Sequence, residues 1–260
     1  MTETALAADR HGTTDGRTPL VFLHGLSYDR RQWAPTLDAL ARIDPGRPAL
    51  TLDLPGHGQS PGRDSYRSDQ VIALVHRAIE DAGLSAPIVV GHSLGAVLAT
   101  GYAATYPVRG VVNVDQPLLV APFAGLLHQL EPVLRSPDYQ QIWDRFVAGM
   151  HVELLPPAAQ HLVRTATTPR QDLLLGYWDE LLTTPTADLT ERFRHELETI
   201  RGSGIPYHYV CGAEPDPQYR RWLEAALPDV TITVLPDSGH FPHLADPAGL
   251  AELLTELPAT

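Results

Sequence analysis

The chain has 260 residues, and its 19 cationic side chains are all arginines, set against 31 aspartates and glutamates for a formal net charge of −12. With no lysine present, Schiff-base chemistry of the pyridoxal-phosphate or aldolase kind and the lysine of a phosphate-binding loop are excluded. The acidic balance argues against a nucleic-acid partner, and a single cysteine, Cys211, excludes an internal disulfide or a paired-cysteine redox or zinc motif.

Residues 1–17 read as a polar N-terminal tail without the apolar core of a signal segment. Residues 117–127 are the most apolar stretch, but they are too short to span a bilayer and contain Pro122. A soluble, cytoplasmic protein acting on a small molecule, with no membrane partner, is the expectation. Short apolar runs then alternate with amphipathic stretches. Runs 19–23 (PLVFL), 48–54 (PALTLDL), 86–90 (APIVV) and 110–114 (GVVNV) are closed by Gly, Pro or Asp. They read as strands buried on both faces. Between them, residues 68–82 place Val71, Leu74, Val75, Ala78 and Ile79 at helical spacing. Strand–helix alternation predicts an α/β fold with a mostly parallel sheet and helices on both faces.

The rhythm breaks over 117–200, where a helical, proline-punctuated segment replaces strands. It predicts a helical cap inserted between core segments 18–116 and 201–257. The alternation resumes with 207–210 (YHYV), a helix over 217–227, a strand over 230–235 and a last helix over 247–256.

The chemistry centres on Gly91-His92-Ser93-Leu94-Gly95. It lies between an apolar strand and an Ala-rich helix, the setting in which a strained turn exposes a serine hydroxyl. A serine needs a base, and His240, just after the last strand, has the right intrinsic pKa and lies where catalytic groups gather. His243 is read as packing the following turn. Two backbone amides are expected to bind an oxyanion, those of Leu94 and of Leu26 in the turn His24-Gly25-Leu26.

These segments, together with Asp53-Leu54-Pro55-Gly56-His57-Gly58-Gln59-Ser60 and Ser238-Gly239-His240-Phe241, occur in an order that resembles the α/β-hydrolase fold superfamily. The resemblance spans roughly residues 18–257 and implies a Ser–acid–His triad beneath a cap. Asp53, His57 and Ser60 are expected to shape a turn rather than to react. The implied acid sits after strand 207–210, where Asp216 is the first choice and Glu214 the neighbouring one, or after the preceding strand at Asp115. His24 and the cap aromatics Trp143, Phe146, Tyr177 and Trp178 are candidate pocket residues. Segment 117–200 carries 11 acidic residues against 6 arginines, which disfavours a strongly anionic substrate such as a coenzyme A thioester. No metal-ligand pattern or cofactor motif occurs. The expected activity is hydrolysis of a carboxylic ester or lactone through an acyl-enzyme. The alternatives are acyl transfer, C–C bond hydrolysis or elimination on the same triad, and a ligand-binding protein without turnover.

Overall fold

The computed structural model describes residues 5–257. A seven-stranded sheet runs in the order β1-β3-β2-β4-β5-β6-β7, from β1 (Ala8–His11), β2 (Leu20–Leu23), β3 (Ala49–Leu52), β4 (Ile88–His92), β5 (Gly110–Val114), β6 (Tyr207–Cys211) and β7 (Thr231–Val234). Strands β2 to β7 pair in parallel, and β1 pairs antiparallel with β3. Strands β2 to β5 are buried along their whole length. Helices cover both faces of the sheet, and this is why these strands are runs of Val, Ile and Leu rather than alternating sequences.

The described residues also hold two short 3-10 helices, Arg30–Trp33 and Val152–Leu154, and eleven α-helices: α1 (Ala34–Ile43), α2 (Ser68–Asp81), α3 (Leu94–Thr105), α4 (Ala121–Leu134), α5 (Tyr139–Gly149), α6 (Pro157–Thr165), α7 (Gln171–Thr183), α8 (Thr186–Gly202), α9 (Pro217–Ala226), α10 (Pro242–Ala245) and α11 (Pro247–Glu256). Leu20, Phe22, Val90 and Val112 point into a cluster with Leu40 of α1 and Leu250 and Leu254 of α11. Their strand neighbours Val21, Leu23, Val89 and Val111 join Val71, Val75, Leu98 and Leu197 on the opposite face. This period of two is what a pleated strand imposes.

Two features depart from the sequence reading. The polar tail 1–17 contains β1, whose residues are almost all exposed. Its sequence has no apolar alternation, and ladder bonding to β3 holds it in place. Helix α8, placed by sequence within the segment 117–200, packs along α3 beside the sheet, while α4 packs on α5 and α7. No helix among the described residues is long and apolar enough to cross a membrane.

The strand order reverses between β2 and β4. The chain steps from β2 outward to β3 and then crosses to β4 on the other side. The loops leaving adjacent parallel strands there diverge to opposite faces and open a crevice, the usual ligand position in such sheets. The turn after β2 carries Gly25 and Leu26, and the turn after β4 carries Ser93.

Candidate active site

Ser93 sits between β4 and α3 with φ 52° and ψ −120°. This backbone region costs a non-glycine residue about 1–3 kcal/mol, so packing must hold it. Two glycines make the packing possible. A Cβ on Gly91 would lie 2.1 Å from the Gly95 carbonyl oxygen, and one on Gly95 would lie 2.2 Å from that of Leu23. The Ser93 N–H donates to the Val114 carbonyl at 3.1 Å, and the Ser93 carbonyl accepts from Ala96 at 2.8 Å. Leu94 is the first residue of α3, so its N–H has no partner within the helix. Ser93 is partly exposed.

The base candidate meets an acid. His240 Nδ1 lies 2.7 Å from Asp115 Oδ2, with both side chains 20% exposed. A carboxylate only accepts, so Nδ1 carries the proton and Nε2 is left as the basic lone pair. The other carboxylate oxygen of Asp115 accepts from the Gly212 N–H at 3.2 Å. Asp115 itself has φ +57°, and its N–H donates to Val210 O at 2.7 Å. The buried Asn113 holds this turn from below. Its Oδ1 accepts from the Gln116 N–H at 3.0 Å, and its amide donates to the Gln116 carbonyl at 2.9 Å. The same amide donates to the Tyr207 hydroxyl, which also bonds Thr100.

Asp216, the first choice for the acid by sequence, does not reach His240. Its carboxylate caps α9 and accepts from the N–H groups of Gln218 and Tyr219 at 2.8 and 3.2 Å. Glu214 pairs with Arg220 at 3.0 Å on the surface. The local packing explains both placements. A Cβ at Gly212 would fall 2.0 Å from the Gly239 carbonyl, so the loop carrying His240 presses directly on the end of β6 and the 213–216 segment turns away from it. Pro217 then opens α9, and Asp216 precedes it as an ordinary N-cap.

The turn after β2 is held by two neutral histidines. His24 is fully buried; its Nε2 accepts from the Leu54 N–H at 3.0 Å and its Nδ1–H donates to the Gly25 carbonyl at 2.8 Å. His57 Nε2 accepts from the Ser27 N–H at 3.0 Å. Burial pushes His24 down to about 4, and burial followed by the neighbouring His24 pushes His57 down to about 3. His24 therefore lies behind the turn rather than on a pocket wall. Asp53 accepts from the amides of Arg30 and Gln59 and pairs with Arg30, and Ser60 donates to Asp53 O. This loop is a scaffold. His243 is completely buried against Trp33, at 4.7 Å between ring centroids, and burial pushes it down to about 3.

The helices after β5 reach the site through Met150, whose carbonyl accepts from the His240 N–H at 3.0 Å. Tyr28 contacts Phe241 and Trp143. Phe146 and Trp178 form a ring cluster with Phe123, with centroids 5.6–5.8 Å apart. Tyr177 instead ties α7 to the scaffold loop, its hydroxyl donating to Pro55 O at 2.9 Å. A cleft of about 460 Å³ lies beside the Ser27 turn, lined by Tyr28, Asp53, His57 and Arg170 among others. Its arginines Arg30, Arg31 and Arg170 are each paired with an aspartate, so they offer no unpaired cation to an anionic ligand. Sequence reasoning passed over Asn113, Tyr28 and Met150. Asn113 alone left a signal, as the one polar residue in the run GVVNV.

The family model described as "Alpha/beta hydrolase family" matches residues 20–253, and the chain belongs to that family. Among curated relatives, 2-succinyl-6-hydroxy-2,4-cyclohexadiene-1-carboxylate synthase of Salmonella paratyphi C is 27% identical over 252 residues, covering 93% of this chain and 94% of that protein. The enzyme of the same name from Serratia proteamaculans is 25% identical over 238 residues, covering 89% of each. Among solved structures, a protein that recognises and ring-cleaves the Pseudomonas quinolone signal superposes with TM-score 0.78 at 18% identity, covering 97% of this chain and 95% of that one. Est816, described as an N-acyl homoserine lactone degrading enzyme, gives TM-score 0.76 at 20% identity, covering 97% and 96%. At these identities the structural matches establish the shared fold.

Proposed function

We propose that the protein is a cytoplasmic, cofactor-independent serine hydrolase that cleaves a small ester or lactone, with Ser93, His240 and Asp115 as its triad. The observation that carries the reading is the 2.7 Å contact from His240 Nδ1 to Asp115, on a base whose loop lies against the strained turn of Ser93. In the first step Ser93 Oγ attacks the substrate carbonyl carbon while His240 Nε2 takes its proton. The oxygen that gains charge is bound by the amides of Leu94 and Leu26. The bond to the alkoxy oxygen then breaks, and the leaving alcohol takes the proton from imidazolium. Water, deprotonated by His240, attacks the acyl carbon; the bond to Ser93 Oγ then breaks, the serine takes the proton back from imidazolium, and the acid is released. Asp115 stays ionised throughout and stabilises the imidazolium. Helices α4 to α7 form the cap, with Trp143, Phe146 and Trp178 on its substrate-facing side.

A second reading keeps the triad for acyl transfer, C–C bond hydrolysis or elimination. It is favoured by the naming of the sequence relatives as synthases of a cyclohexadiene carboxylate. The acidic balance of segment 117–200, 11 carboxylates against 6 arginines, weighs against so anionic a substrate. A fluorophosphonate probe tests both readings: Ser93 is labelled in wild type and not in Ser93→Ala. Turnover of p-nitrophenyl esters by the unmodified protein selects hydrolysis, labelling of Ser93 without such turnover selects the second reading, and a wild type that the probe fails to label refutes both.

A further inference from the structure

The residue before the nucleophile, His92, touches all three turns that the proposed chemistry needs. It is fully buried. Its Nε2 lies 2.7 Å from the backbone carbonyl of His240; a carbonyl only accepts, so Nε2 carries the proton and donates. The ring then holds a bare lone pair at Nδ1, which has no hydrogen-bond partner among the described residues. That edge faces the turn after β2: a Cβ added to Gly25 would lie 2.9 Å from His92 Nδ1 and 3.4 Å from the Ser93 Cβ. Gly25 is therefore the residue that lets the edge of an imidazole approach the backbone leading into Leu26. The remaining sides of the ring are filled by His240, Phe241 and His243, with centroids at 4.7, 5.3 and 4.4 Å. Burial first, and then the neighbouring His243 and His240, hold His92 well below the usual histidine range. It therefore stays a neutral donor while its neighbour His240 gains and loses a proton.

We propose that His92 is a positioning residue for the triad. Through one hydrogen bond and one close packing contact it fixes the backbone of the base and the amide turn at set distances from the adjacent Ser93. A different residue would satisfy the turn sterics, but only a flat side chain with a donor at this reach spans from Gly25 to the His240 carbonyl. The inference rests on the triad reading.

The test uses two variants of the full chain. His92→Phe keeps the ring and removes the donor; His92→Gln keeps a donor on a flexible stem. Small losses of alignment at a reacting centre are worth up to about 100-fold in rate. The expectation for His92→Phe is therefore a fluorophosphonate labelling rate and an ester kcat lowered about 10- to 100-fold, with KM within about twofold. His92→Gln recovers part of the loss. Nitrogen NMR of ¹⁵N-histidine protein gives a readout independent of catalysis: wild type shows His92 protonated at Nε2 and bare at Nδ1, and the His240 ring signals broaden in His92→Phe or, should that variant not fold, in His92→Gln. Wild-type labelling by a folded His92→Phe, or a proton found on His92 Nδ1, overturns the proposal. If wild-type Ser93 is not labelled and Asp115→Asn changes nothing, the triad reading is what fails, and the NMR comparison still decides whether His92 anchors the His240 loop.

Discussion

Replacing Asp115 by Asn separates the two acid assignments, and the consequence follows from the two hydrogen bonds that the carboxylate accepts. One comes from His240 Nδ1 at 2.7 Å and the other from the Gly212 N–H at 3.2 Å. An asparagine has one acceptor oxygen and one donor NH₂ to present to these two donors. If its NH₂ faces His240, the imidazole must accept at Nδ1 and carry its proton on Nε2, where it cannot take the proton of Ser93. If its oxygen faces His240, the NH₂ opposes the Gly212 N–H, and a partly buried donor pair is left unsatisfied at about 1–3 kcal/mol. The first arrangement costs less in stability and more in rate. The expected outcome is a folded protein whose kcat falls about 10³- to 10⁴-fold, some 4–5.5 kcal/mol of barrier, with labelling of Ser93 slowed in parallel. Asp216→Asn is the control. Asparagine caps a helix as well as aspartate does, so this variant keeps wild-type rates. Asp216→Ala loses about 1 kcal/mol of stability, or about 2–4 °C in Tm, without losing activity. Stopped-flow ester hydrolysis and thermal melts on the three variants supply the numbers. An Asp216→Asn variant that loses orders of magnitude while Asp115→Asn retains its rate would refute the assignment.

Further outcomes follow from the buried polar groups. Four buried histidines, His24, His57, His92 and His243, have folded-state pKa values lowered by burial, two of them to about 3 and His24 to about 4. The unfolded chain takes up these protons near pH 6.5 and the native state only far lower, so stability is full above about pH 6.5 and falls as pH drops toward 4. The limiting slope is about 5 kcal/mol per pH unit for four protons; melts between pH 7 and 5 measure it, and a flat Tm would contradict the burial argument. His243→Phe removes two ring nitrogens with no partner among the described residues. It raises Tm at pH 6 and flattens the acid slope by about one proton in calorimetric melts. Asn113→Leu removes the clamp on Gln116 and frees the Asp115 turn. The expected result is a kcat lowered about tenfold or more at nearly constant KM, together with about 1–3 kcal/mol lost in chemical denaturation; unchanged kinetics in a folded variant would mean that the clamp is purely structural.

The strand–helix framework was legible in the chain because burial on both faces forces strands such as 19–23, 86–90 and 110–114 to be apolar throughout. Helix periodicity gave 68–82 against an observed Ser68–Asp81, and the last helix, 247–256, coincides with Pro247–Glu256. The strained serine turn was legible too, since Gly91 and Gly95 leave room that no other residue would leave. Strand β1 was not legible, because an edge strand held by its ladder to β3 and by polar contacts such as Arg30 to Asp9 needs no apolar pattern. The partner of His240 was also beyond the sequence. Asp115, Glu214 and Asp216 are all acidic residues just past the ends of neighbouring strands, and spacing along the chain ranks them without measuring a distance. Tertiary packing decided among them: Gly212 lies so close to the Gly239 carbonyl that the 213–216 segment is turned outward into a helix cap, while Asp115, held by Asn113 from β5, points at the imidazole. A sequence fixes which chemical groups are available at the strand ends, and only the packing of one loop against the next fixes which two of them touch.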